Sequence, residues 1–190
     1  MILDFSELSE AKRYKTMSNT IFPRPIAWIS TEDNGVINLA PFSYFTPLSS
    51  NPPLVIVSIG KKPITLEPKD TFANILKNRV CTINFADEKF LIELNNTSED
   101  LPKEISECEK FAIEMQTKLE KFPPMVKGIK CALFCEFVKT VDLSDRYEPI
   151  ILEIKHIYID DENIDEKNHI HLENIGRVGM EFLVDSKRVR

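Results

Sequence analysis

The stretch Ile26-Ala27-Trp28-Ile29-Ser30-Thr31-Glu32-Asp33-Asn34-Gly35-Val36-Ile37-Asn38-Leu39-Ala40-Pro41 decides the fold. β-Branched and aromatic residues from Ile26 to Thr31 favour a strand, and Asn34-Gly35 supplies the two positive-φ residues of a type I′ turn. An antiparallel hairpin follows, in which partners keep a constant index sum: Asp33 with Val36, Thr31 with Asn38, Ile29 with Ala40. Ala27, Thr31, Asn38 and Ala40 then share one face, and Trp28, Ser30, Ile37 and Leu39 the other. The small and polar side chains of the first face leave room for a flat ligand.

Upstream, Pro23 and Pro25 stop helix formation, and residues 6–17 read as a short amphipathic helix with Ser6 as its cap. Downstream, Asn51-Pro52-Pro53 punctuates the chain before Leu54-Val55-Ile56-Val57-Ser58-Ile59, an apolar run expected to be a strand buried on both faces. Residues 70–77 read as a helix capped by Asp70 with Lys77 in its last turn. Strands are expected over 80–85, 133–141 and 150–159, helices over 88–94 and 176–183, a polar loop over 95–103, a turn around Ser144, Asp145 and Arg146, and a solvated acidic loop over 160–168. About six strands with only short helices between them favour a barrel over a parallel sheet. No repeat or linker divides the 190 residues, so a single domain is expected.

Composition excludes several functions. The chain has 24 Lys+Arg against 30 Asp+Glu, a net charge of −6, with its basic residues scattered among acids, so a nucleic-acid surface is not expected. The longest aliphatic run, residues 54–57, is far below the ~18 residues of a membrane span. The early acids Asp4, Glu7 and Glu10 do not suit a signal peptide, and a cytoplasmic protein is expected. Five glycines cannot supply a dinucleotide fingerprint or a phosphate loop. Cys81, Cys108, Cys131 and Cys135 lack Cys-x-x-Cys spacing; Cys131 and Cys135 would lie about 13 Å apart along a strand, so reduced, inert thiols are expected. His156, His169 and His171 are metal-ligand types, but no carboxylate spacing supports a site, and a surface or packing role is favoured.

Two segments can carry a ligand. Lys69-Asp70-Thr71, at a helix start, offers free amides, the positive end of the helix dipole, an ammonium and a hydroxyl to a phosphate, with Lys61 and Lys62 as further charge. Taken alone it reads more readily as a capped surface helix, because such caps are common. Asn38-Leu39-Ala40-Pro41-Phe42-Ser43 follows the hairpin; Pro41 lacks an N–H and frees backbone groups for a polar ring edge, or else marks a barrel corner.

The blocks Arg24-Pro25-Ile26-Ala27-Trp28-Ile29-Ser30-Thr31, Asn38 to Ser43, Asn51-Pro52-Pro53 and Lys69-Asp70-Thr71-x-x-Asn74-Ile75 together resemble the flavin reductase-like family, flavoredoxins included. A looser match continues through Phe122-Pro123-Pro124, Cys135-Glu136 and Gly176-Arg177. The resemblance implies a mainly β, FMN-binding split β-barrel that forms a homodimer. It implies that Arg24, Pro25, Ile26, Ala27, Asn38, Leu39, Ala40 and Pro41 border the flavin ring and ribityl chain, with Ser43 and Tyr44 as weaker candidates, and that Ser58, Gly60, Lys69 and Thr71 lie at the phosphate end. The flavin carries the difficult chemistry itself, so no catalytic acid or base need be encoded. The expected function is an FMN-dependent oxidoreductase taking electrons from NADH, NADPH or a protein donor and passing them to a small-molecule acceptor. The alternatives are a flavoredoxin-like electron carrier and a flavin-free binding module on the same barrel.

Overall fold

The computed structural model describes residues 1–62, 65–144 and 146–184. In chain order the elements are α1 (Glu10–Thr20), β1 (Arg24–Pro25), β2 (Ala27–Asp33), β3 (Val36–Phe42), β4 (Phe45–Ser50), β5 (Pro53–Gly60), α2 (Asp70–Asn78), β6 (Val80–Asn84), α3 (Leu91–Asn96), α4 (Glu107–Lys110), β7 (Met115–Gln116), β8 (Met125–Val126), β9 (Cys131–Thr140), β10 (Tyr147–Ile159), β11 (Gly176–Val178) and β12 (Glu181–Leu183). Asp145 of the expected turn lies outside the described residues. Among the described residues no helix is long and apolar enough to cross a membrane.

Seven strands form one antiparallel sheet in the order β3-β2-β6-β9-β10-β5-β4. β3 and β4 occupy its two edges, yet only Ser43 and Tyr44 separate them in the chain. Six strand gaps of ~4.8 Å span about 29 Å, whereas three peptide links reach at most about 11 Å. The sheet must therefore roll up, which brings its edges together without a ladder between them: a split barrel. One apolar cluster draws on nearly every strand (Ala27, Ile29, Phe45, Val57, Ile83, Leu133, Leu152) and fills the interior, with Phe72 and Ile75 of α2 packed into it. The second cluster lies on the outer face, where Trp28, Leu39 and Phe134 are covered by Leu94, Cys108, Phe122 and Met125.

The β2–β3 hairpin has the expected register, Asp33 with Val36 through Ile29 with Ala40, and its turn residues Asn34 and Gly35 sit at φ 51° and 83°. Other expectations change. α1 starts at Glu10 with Ser9, not Ser6, as its cap, because Asp4 Oδ1 takes the Ser6 N–H and hydroxyl in a local turn. β5 is buried on one face only, through Val55, Val57 and Ile59, since it is the second strand from the edge. Residues 176–183 form the hairpin β11–β12 rather than a helix. Gly179, at φ 50°, supplies its turn, and a Cβ there would stand 2.5 Å from Asn19 Oδ1.

All four cysteines are free and buried. Cys135 pairs across the strands with Cys81 rather than with Cys131, and their mutual contact, with burial, raises the Cys135 pKa. His169 and His171 are exposed side chains, both reaching Asp165 Oδ2, at 3.0 and 3.5 Å. The sequence reading overlooked this carboxylate.

Candidate functional site

α2 lies across the polar end of the hairpin. Thr31 and Asn38, expected to face a ligand, instead meet the helix: Asn74 Nδ2–H donates to Thr31 Oγ1 at 3.1 Å, and the Thr71 hydroxyl donates to Asn38 Oδ1 at 3.2 Å. All four are buried. A polar seam therefore replaces apolar packing between α2 and the hairpin, and Thr71 positions Asn38. Such paired groups fix one docking of the helix, because sliding it would leave buried polar atoms unpaired.

β3 is an edge strand, and its outward backbone groups need partners. The start of α4 supplies them. The Ser106 hydroxyl donates to the Ile37 carbonyl at 2.6 Å, and Glu107 Oε2 accepts the Leu39 N–H at 2.9 Å and Asn38 Nδ2–H at 3.4 Å. Pro41, the next outward position, has no N–H to satisfy. Burial raises the Glu107 pKa and Asp70 adds to this, while the hydrogen bonds from Leu39 and Asn38 pull the other way. Sequence reading missed Glu107: its partners are 68 and 69 residues away, and nothing local marks an acid destined for burial.

A groove opens between α2, the hairpin and residues 97–107. Its larger lobe, about 470 Å³, is lined by Val36, Ala73, Asn74 and Ile105 among others. A smaller lobe of about 130 Å³ holds Ala40, Pro41, Lys69 and Thr71. The lobes share Asn38, Asp70 and Glu107. The larger lobe alone falls within the ~300–1,000 Å³ of small-molecule sites.

At the mouth of the groove stands the start of α2. Its N-cap is Lys69 rather than the expected Asp70, and no side chain caps it. The first helical bond runs from Ala73 N–H to Lys69 O, so the amides of Asp70, Thr71 and Phe72 precede it. Asp70 is held by Lys62 at 3.5 Å, and Glu99 on the smaller lobe by Lys110 at 2.6 Å. These lysines offset acids that would repel an anion. Uncapped amides, Lys69 and Lys62 are a donor set that fits a phosphate.

The other expected positions divide. Leu39 buries its side chain in the outer cluster, and its backbone N–H is taken by Glu107. Ala27 is fully buried in the interior cluster, and Pro25 is exposed. Ile26 and Ser43 line a separate cavity beyond Pro41. Arg24 lies next to that cavity's Arg177, across from it in the β1–β11 ladder. Ser58 and Gly60 sit on β5 beside Tyr44 and Tyr147 and line neither lobe of the groove.

The split-barrel fold is shared with known proteins. The model of the flavin reductase-like domain matches residues 17–176, and the chain belongs to this family. An uncharacterized protein of Aquifex aeolicus is 30% identical over 175 residues, 90% of this chain and 88% of the relative. Nitrilotriacetate monooxygenase component B from Bacillus cereus superposes with a TM-score of 0.92 at 26% identity, covering 100% of this chain and 98% of that one. The 2-nitrobenzoate 2-nitroreductase NbaA of Pseudomonas fluorescens does so with 0.90 at 26% identity, covering 100% and 94%.

Proposed function

We propose that the protein binds FMN in the groove beside β3 and acts as an FMN-dependent oxidoreductase, reduced by NADH or NADPH and passing electrons to a small-molecule acceptor. The observation that carries this reading is the uncapped start of α2, with Lys69 and Lys62 beside it, opening onto Ala40 and Pro41. Family membership supports the same reading, as do two similar proteins whose names describe a nitroreductase and a monooxygenase component.

In this reading the amides of Asp70, Thr71 and Phe72 and the two lysines hold the phosphate. Ala40, with a single methyl group, and Pro41, without an N–H, leave space and unpaired backbone beside the ring. Asn38, fixed by Thr71 and Glu107, keeps that strand in place. When bound, FMN supplies a ring that accepts and releases hydride or single electrons. The chain's own task is to bind it, orient it and exclude water.

We further propose one domain spanning the chain, a cytoplasmic location and a homodimer. Ile2, Leu3 and Phe5, exposed in the single chain, are an apolar surface that a second copy would cover. The test is the visible spectrum of the purified protein followed by mixing with NADH and NADPH. A yellow protein bleached by either nicotinamide is expected. A protein that remains colourless in excess FMN refutes the reading, and a yellow one that neither nicotinamide bleaches is a carrier.

A further inference from the structure

Among the acids that line the two lobes of the groove, Asp33, Asp70, Glu99, Asp100, Glu104 and Glu107, Glu107 stands apart. Lysines pair with Asp33, Asp70, Glu99 and Glu104, and Asp100 is exposed to water. Glu107 is only 8% exposed, and among the described residues no lysine, arginine or histidine pairs with it. Of the cations nearby, Lys103 is exposed, Lys69 stands half-buried at the start of α2, and Lys110 of α4 is turned to Glu99. Its other neighbours on α4, Cys108 and Glu109, bring no positive charge.

The partners of this carboxylate reach both halves of the groove. Oε2 accepts the Leu39 N–H at 2.9 Å and Asn38 Nδ2–H at 3.4 Å, and Asn38 Oδ1 accepts the Thr71 hydroxyl at 3.2 Å. Thr71 also carries one of the amides at the mouth of α2. Two side-chain hydrogen bonds therefore join that mouth to a buried acid, and the same acid holds β3 just before Ala40 and Pro41. A phosphate monoester carries about −1.5 to −2 charges at pH 7. Arriving at the mouth, it meets Asp70 and Glu107, and a like charge favours the neutral form of the less compensated carboxylate. Asp70 has Lys62 at 3.5 Å; Glu107 has hydrogen bonds alone. Burial, with Asp70 adding to it, already raises the Glu107 pKa against the pull of those bonds.

Resting on FMN binding at the mouth of α2, we propose that Glu107 is a proton-linked positioning residue of the groove. It takes a proton from solvent as the flavin phosphate binds and returns it when the flavin leaves. Oε2 already accepts two donors, so the proton goes to Oε1 and β3 stays anchored. Because the bound state holds one more proton, FMN affinity falls as pH rises through the range in which Glu107 titrates.

The test titrates FMN into the flavin-free protein by calorimetry, in buffers of unequal ionisation enthalpy, from about pH 6 to about pH 8. The buffer dependence gives the protons exchanged on binding. A phosphate bound as its dianion can only release protons, so net uptake marks a group of the protein. Net uptake of up to about one proton is expected, with affinity falling up to about tenfold per pH unit where uptake is complete. Glu107→Gln, which keeps a carbonyl for the Leu39 N–H, is expected to bind FMN with net release or no exchange, and riboflavin to bind the unaltered protein with no exchange. Net release or no exchange in the unaltered protein at every pH, the same exchange in Glu107→Gln, or equal uptake with riboflavin each overturns the inference. Should Glu107→Gln not fold, the sign of the exchange in the unaltered protein and the riboflavin comparison decide the matter. A protein that binds no FMN refutes FMN binding itself, whereas one that binds it with the wrong proton count refutes only the role of Glu107.

Discussion

The two ends of β3 treat buried polar groups in opposite ways. Toward α2, Thr31 is answered by Asn74, Asn38 by Thr71 and the Leu39 amide by Glu107, and none of these side-chain atoms is left without a partner. Toward β1, Arg24 keeps two buried donors without a partner among the described residues, opposite a second arginine. A satisfied seam fixes how elements dock, whereas unpaired buried donors cost stability that the rest of the fold must offset. At the start of α2 no side chain caps the helix, and this is where the proposed phosphate would bind, above a seam whose side chains are paired.

Substitutions should separate the two ends. Asn38→Leu removes the partner of both Thr71 and Glu107, and at ~1–3 kcal/mol for each buried group left unpaired it is expected to cost about 3 kcal/mol, read as a lower denaturant midpoint. Asn74→Ala strands only the Thr31 hydroxyl and is expected to cost about 1–2 kcal/mol. At the other end Arg177→Gln relieves a like-charge pair worth ~0.2–1 kcal/mol but loses a comparable contact with Phe182; stability should change by no more than about 0.5 kcal/mol. If Arg177→Gln destabilised the protein as much as Asn38→Leu does, the arginine pair would be structural and the contrast would fail.

The smallest effect concerns pH. Glu107 has a folded pKa raised above its unfolded value, chiefly by burial, so the folded chain binds its proton more tightly. Its contribution is fully present below the ordinary carboxylate range and is lost as pH rises through the raised value. Denaturation midpoints measured from acid to neutral pH should fall less in Glu107→Gln than in the unaltered protein. Equal slopes would show that the carboxylate is effectively solvated.

Much of the fold was legible because its signals are local. Asn34-Gly35 set the register of seven paired positions, and the spacing of Pro, Gly and apolar residues placed β5, β6, β9 and β10. The second hairpin was missed because Gly179-Met180 resembles a helix end as much as a turn, and its strands are three residues each. Of the residues lining the candidate groove, Lys69 and Ala40-Pro41 were named from the sequence, being contiguous with strong structural signals. Glu107 and Arg177 were illegible, their partners lying 68 and 153 positions away along the chain. Thr71 was read as a ligand because a hydroxyl at a helix start suits a phosphate; only the packed structure shows its proton directed to Asn38.

The central claim is that the mouth of α2 holds a flavin phosphate, and comparing FMN with riboflavin in equilibrium titrations of the flavin-free protein tests it most directly. Quenching of flavin fluorescence should report FMN binding at least about tenfold tighter than riboflavin, with the advantage shrinking in Lys69→Ala. Equal affinities for the two, or no binding of either, would contradict the account.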